Sequence, residues 1–192
     1  MKKAILSHGF ASLLTSWAIC AALIVALYHQ LFNNDLPCAL CWLQRFAMLA
    51  MLVAQTWILL KIGKRQTVSI QDVALGHGLT ILAALVGMSM SLRQVLLHIL
   101  PGDPGYGGEV MGLHFYTWGF VLFFCCMAGS ALTVALSNWL DRTADAWHAA
   151  ARWTMWLIAA LILINWVLVF AMQGFQWELD GDPTHYRLFS FS

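Results

Sequence analysis

A chain of 192 residues with 61% hydrophobic and only 10% charged side chains departs from soluble composition, in which about a quarter of residues are charged. Its formal net charge of +1, spread over ten scattered Lys and Arg, assembles no basic face and excludes nucleic acid as a partner. A mean hydropathy of +0.74 and repeated apolar runs near bilayer length instead specify one all-α, polytopic integral membrane domain over residues 1–192.

The first run, about residues 10–31, follows Met1-Lys2-Lys3 and so begins like a signal peptide. Its apolar part exceeds the roughly 7–15 residues of such a core and ends on no small-x-small site, so it reads as a first transmembrane helix. Next comes Pro37-Cys38-Ala39-Leu40-Cys41-Trp42-Leu43-Gln44-Arg45, opening a second span at about 42–60. Two thiols separated by two residues can close a small disulfide ring at a helix start, where the dipole and free N–H groups favour the reactive thiolate. Arg45 lies four residues beyond Cys41, on the same helix face and one turn deeper, which puts a fixed cation below the sulfur. A zinc site wants four ligands in a closed shell, and no second CxxC or CxxH is present. A static structural disulfide stays open beside the redox reading.

A third span at about 73–97 carries Gln94, four residues before His98, so the two share a face and can reach one pocket. Arg93 beside them must snorkel or pair, whether it belongs to that pocket or to the headgroup layer. The stretch Leu100-Pro101-Gly102-Asp103-Pro104-Gly105-Tyr106-Gly107-Gly108-Glu109 forbids continued helix. It either folds back on the membrane surface with Tyr106 at the interface or makes a tight connection. The fourth span, about 113–136, opens on Leu113-His114-Phe115-Tyr116-Thr117-Trp118, read as an aromatic belt at headgroup level. A fifth, about 153–175, leads to a tail over 176–192 whose Trp177, Glu178, Asp180, Asp182 and Tyr186 can dock a partner. The acids lack the loop geometry of a known calcium site, so no metal is expected there. Cys20, Cys125 and Cys126 fall mid-span, where apolar surroundings keep thiols inert, and packing is their expected role.

Sidedness follows from the basic residues. Lys2, Lys3, Lys61, Lys64, Arg65, Arg142 and Arg152 fall at ends that share one side, against Arg45, Arg93 and Arg187 for the other. The excess places the N-terminus in the cytoplasm. The cysteine motif, the loop from His98 to Gly112 and the tail are then expected in the periplasm of a bacterial inner-membrane protein, a compartment where disulfides persist.

Pro-Cys-x-x-Cys followed by Gln-Arg at the mouth of the second apolar segment resembles the disulfide bond formation protein B (DsbB) family, over roughly the first 140 residues by layout. The resemblance implies a four-helix transmembrane bundle, here with a fifth helix added, that reoxidises a periplasmic DsbA-like thiol oxidase and passes electrons to ubiquinone or menaquinone. It makes Cys38 the more exposed sulfur that forms the mixed disulfide, and Cys41 the resolving, quinone-facing one. Oxidation of a dithiol releases two electrons and two protons, so a cation or donor is wanted at the quinone oxygen; Arg45 supplies it. A family histidine near the end of the third helix contacts quinone, which points to Gln94, the aligned residue, and to His98 one turn on. His29 and His114 are alternatives at similar depth, although each histidine alone reads first as an interfacial residue. One departure matters: the family's second periplasmic cysteine pair is missing, so Cys38–Cys41 exchanges directly with a substrate thiol or through a separate relay protein. The alternative function is a non-catalytic accessory subunit of a membrane complex, with Cys38–Cys41 structural. A weaker third reading is metal handling by the two cysteines with His29 or His114.

Overall fold

The computed structural model describes residues 7–143, 145–176 and 178–189. Lys2 and Lys3 of the charge pattern and Trp177 of the tail lie outside the described residues. Among the described residues five helices follow one another: α1 (His8–Phe32), α2 (Ala39–Gly63), α3 (Ile70–Leu97), α4 (Phe115–Ala135) and α5 (His148–Gln173). Each is long and apolar enough to cross a membrane. The protein is therefore an all-helical multi-pass membrane protein, with a small hairpin of two-residue strands, β1 (Glu109–Val110) and β2 (Leu113–His114), in which Glu109 pairs with His114 and Val110 with Leu113.

Local chemistry sets the helix ends. Ser7 accepts the Phe10 N–H to start α1, and Ser69 with Asp72 forms a reciprocal capping box at α3. Cys38 caps α2, so that helix begins three residues before the expected position and takes Cys41 into its first turn. Helix α4 starts at Phe115 because the two residues before it belong to the hairpin, whose turn places Met111 and Gly112 at φ 55° and 76°. Gly174, at φ 61°, ends α5 with its N–H on the Phe170 carbonyl.

Helix α3 packs between α2 and α4, and α5 lies against α1 and α2. Leu13, Ile19, Leu23, Met51, Ile58, Phe123 and Ile158 form the centre of the core. Glycine permits the closest approaches: a Cβ on Gly76 would meet Ile58 at 2.7 Å, and one on Gly87 would meet the Phe123 ring at 2.3 Å. Gln55 reaches Thr80 and His77, and His77 reaches Ser130, which joins α2, α3 and α4 by polar contacts inside the bundle. The fifth helix contributes Ile158 and Leu161 to the same core while exposing Trp153, Trp156 and Trp166 outward.

The alternation of helices brings two connections and the tail to one end. The loop after α3 folds over the α1–α2 connection: Tyr106 donates to the Leu36 carbonyl at 2.9 Å, and the Gly108 N–H donates to Asp35 at 2.8 Å. It is thus a cover over that connection, and burial pushes the Tyr106 phenol well above its usual range. The tail closes the same end, with the Leu188 N–H on the Ala171 carbonyl and the Arg187 N–H on the Met172 carbonyl.

Candidate functional site

Helix α2 begins at Cys38, and the capping geometry turns its sulfur back along the helix to accept the Cys41 N–H at 3.3 Å. Both cysteines are free thiols. Gln94 reaches across from the last turn of α3, its Nε2 lying 3.5 Å from Cys38 Sγ and 3.7 Å from Cys41 Sγ. Its Oε1 accepts from Gln44 Nε2 at 2.7 Å, which fixes which end of the amide faces the sulfurs. The Cys41 thiol beside it, aided by the backbone N–H groups of Cys41 and Leu40 and by the Gln94 amide, lowers Cys38 to about 7 despite its burial. The thiolate is thereby favoured at Cys38.

The two sulfurs are not placed as the resemblance implies. Cys38 is only 6% exposed, whereas Cys41 is partly exposed and borders a cavity of about 310 Å³. The cap itself is the reason: a sulfur aimed at the helix N–H groups and met by Gln94 is turned inward. Cys38 does not line the cavity, so the expectation that it is the more open sulfur is corrected for the reduced pair.

The cavity lies between α1, α2, α4 and the covering loop, with Cys41, Arg45, His29 and Tyr116 in its wall among apolar side chains such as Val25, Met48 and Leu122. Arg45 is 7% exposed. Its guanidinium donates to Gln30 Oε1 and to the Ala26 carbonyl, the latter at 3.1 Å, and lies 5.0 Å from the centre of the Trp42 ring. Carbonyl oxygens and a π-face thus hold this buried cation. His29 packs edge-on against Phe115 at 4.6 Å between ring centres and pairs through Nδ1 with Asn33 at 3.1 Å.

The other expected residues divide. Gln94 belongs to the sulfurs and does not line the cavity, and His98 is also absent from its wall. His98 pairs with Asp103 at 3.0 Å and stacks on Tyr116, whose ring also stacks with His114. The Gly105 N–H and His98 hold the Asp103 carboxyl below the usual carboxylate range. Among the described residues no three His, Cys, Asp or Glu side chains converge as a metal site requires. Gln30 and Gln44 went unnoticed as site residues. Gln44 had a signal, since it lies three residues after Cys41 on the same helix; Gln30, fifteen residues from its partner Arg45, had none.

A cysteine pair at a helix start, beside a buried cation and a cavity within a five-span bundle, defines a membrane-embedded dithiol protein. The chain belongs to the DsbB family: the family model described as "Disulfide bond formation protein DsbB" matches residues 8–107. It is 33% identical over 162 residues to a "Disulfide bond formation protein B" of Chromobacterium violaceum, covering 79% of this chain and 92% of that protein. No solved structure matches. Membership supports a disulfide-forming membrane oxidoreductase.

Proposed function

We propose that the protein is a thiol:quinone oxidoreductase of the bacterial inner membrane, with the cysteine end periplasmic, which regenerates a disulfide in a DsbA-like thiol protein through the single Cys38–Cys41 pair. The observation that supports this most is the sharing of one cavity wall by Cys41 and Arg45, with Cys38 and the Gln94 amide behind them. The residues fit a quinone head: apolar and aromatic walls, a permanent cation with several donors, and a volume at the small end of the range for ligand sites, roughly 300–1000 Å³. When bound, a quinone supplies an acceptor for two electrons and two protons.

The chain's residues divide the work. A reduced partner dithiol exchanges with the Cys38–Cys41 disulfide and leaves oxidised, so both sulfurs of the pair become reduced. Gln94 and the α2 N-terminus then favour negative charge on Cys38. Conversion of the dithiol back to the disulfide releases two electrons and two protons in all, one of those protons leaving when Cys38 ionises; Cys41 delivers the electrons at the cavity wall and Arg45 offers N–H donors there. His29, in the same wall, is the ring best placed to carry a proton. Without the family's second cysteine pair, the partner reaches Cys38–Cys41 directly or through a relay protein.

Cys38→Ser or Cys41→Ser is expected to abolish quinone reduction by a reduced periplasmic thiol oxidase, and unchanged turnover would overturn the reading. Trapping the thiol state in cells with quinone synthesis blocked separates it from a structural pair in an accessory subunit. Accumulation of reduced Cys38 and Cys41 is expected; a pair that stays oxidised marks the accessory role.

A further inference from the structure

The cation in the cavity wall is held by Gln30, and Gln30 in turn is held by residues beyond the stretch 8–107 that the family model matches. Gln30 is 1% exposed, and its two amide atoms have different partners: Oε1 accepts from Arg45, while Nε2 donates to the Tyr186 hydroxyl at 3.2 Å and to Met172 Sδ at 3.4 Å. Tyr186 belongs to the tail and Met172 to the end of α5, both beyond the matched residues 8–107. The backbone bonds of Arg187 to Met172 and of Leu188 to Ala171 fix Tyr186 in place. A second route runs through rings: Arg45 lies over Trp42, Trp42 stacks on Phe46, and Phe46 stacks on Trp166 of α5.

We propose that Tyr186 is a positioning residue for quinone binding, acting through Gln30 on Arg45. A carboxamide is nearly symmetric in shape, and what separates its two ends is hydrogen bonding. If the Gln30 amide rotated by half a turn, an NH₂ group would face the guanidinium, donor against donor, and the buried cation would lose an acceptor. The donor-only guanidinium selects Oε1, and the Tyr186 hydroxyl keeps the amide seated against it by accepting from the Nε2 that is left, since the thioether of Met172 is a weak acceptor. With Oε1 and the Ala26 carbonyl engaging one side of the guanidinium, its remaining N–H groups are left for the cavity. The fifth helix and tail are in this way part of the site. This inference rests on the proposed quinone chemistry.

The test uses the full chain in detergent, a short-chain water-soluble quinone, and quenching of tryptophan fluorescence as the measure of binding, beside steady-state kinetics and thermal melting. Tyr186→Phe removes only the hydroxyl. It is expected to weaken quinone binding about fivefold, the worth of one ordinary hydrogen bond, and to raise the KM for quinone without changing the KM for the dithiol partner. Gln30→Leu removes the group through which Tyr186 acts, so adding Tyr186→Phe to Gln30→Leu is expected to cost nothing further. Equal quinone affinity in the wild type and Tyr186→Phe, or an undiminished Tyr186→Phe penalty in the Gln30→Leu background, overturns the proposal. If Tyr186→Phe melts early, Gln30→Leu alone and with Tyr186→Phe decides the matter: additive losses of affinity overturn it, a shared loss supports it. Absence of quenching in the wild type overturns the quinone reading itself, and this inference with it.

Discussion

Cys38 is a helix cap, and capping reinforces the nucleophilic role proposed for it. A sulfur that accepts N–H groups is better stabilised with a charge than without one, so the fold favours the thiolate there. An acid whose pKa is lowered keeps its charge to lower pH. Alkylation of Cys38, followed by mass spectrometry of its peptide, is therefore expected to rise through a midpoint near pH 7, where the thiol is held at about that value. A midpoint in the ordinary thiol range, about 8.5, would contradict the geometry. Gln94→Leu removes one of the donors and leaves the burial, so it is expected to shift the midpoint upward and slow labelling at pH 7 severalfold.

Helix α3 meets its neighbours through glycine, and its contacts show which glycines the packing needs. Phe123 of α4 is fully buried against Gly87, and a methyl group there would overlap the ring. Gly87→Ala is expected to destabilise the bundle by about 1–3 kcal/mol, seen as a lower melting temperature in detergent. Gly78, one helix face away, has nothing within 4 Å of an added Cβ. Gly78→Ala is expected to be neutral or to stabilise by up to about 1 kcal/mol through helix propensity. Equal effects at the two positions would show that α3 and α4 do not meet as described. The same contact matters for the site, because α3 carries Gln94 to the sulfurs and α4 carries Tyr116 to the cavity wall.

On the scale of the whole molecule, both halves of the charge pattern sit together in space. The Val68 N–H donates to the Arg142 carbonyl at 3.1 Å, and Arg65 reaches His148 at 3.0 Å, so the basic connections form one end of the bundle. The cysteines, the covering loop and the tail form the other. Under the positive-inside rule the first end is expected to be cytoplasmic. A membrane-impermeant maleimide applied to spheroplasts is expected to label Leu100→Cys, exposed in the loop, and to label Gln66→Cys only after permeabilisation. The reverse pattern would put the thiols in a reducing compartment and remove the basis for a disulfide-forming role.

The number of helices and the placing of Arg45 one turn below Cys41 were both legible in one dimension, because a bilayer tests each span for length and apolarity separately and a helix fixes what lies four residues away. The resemblance to the family rested on the same short block. What lay beyond reach were the choices between helices that are apolar all round, since such helices carry no stripe to say which face turns inward. Folding decided that Gln94 meets the sulfurs, that His98 turns to Asp103, that Cys38 is covered and Cys41 borders the cavity, and that Gln30 and Tyr186 hold Arg45 from 15 residues before it and from the far tail. Apart from the exposed His98–Asp103 pair, these contacts belong to buried polar groups that have no water to turn to, and only the packed bundle determines which partner each one finds.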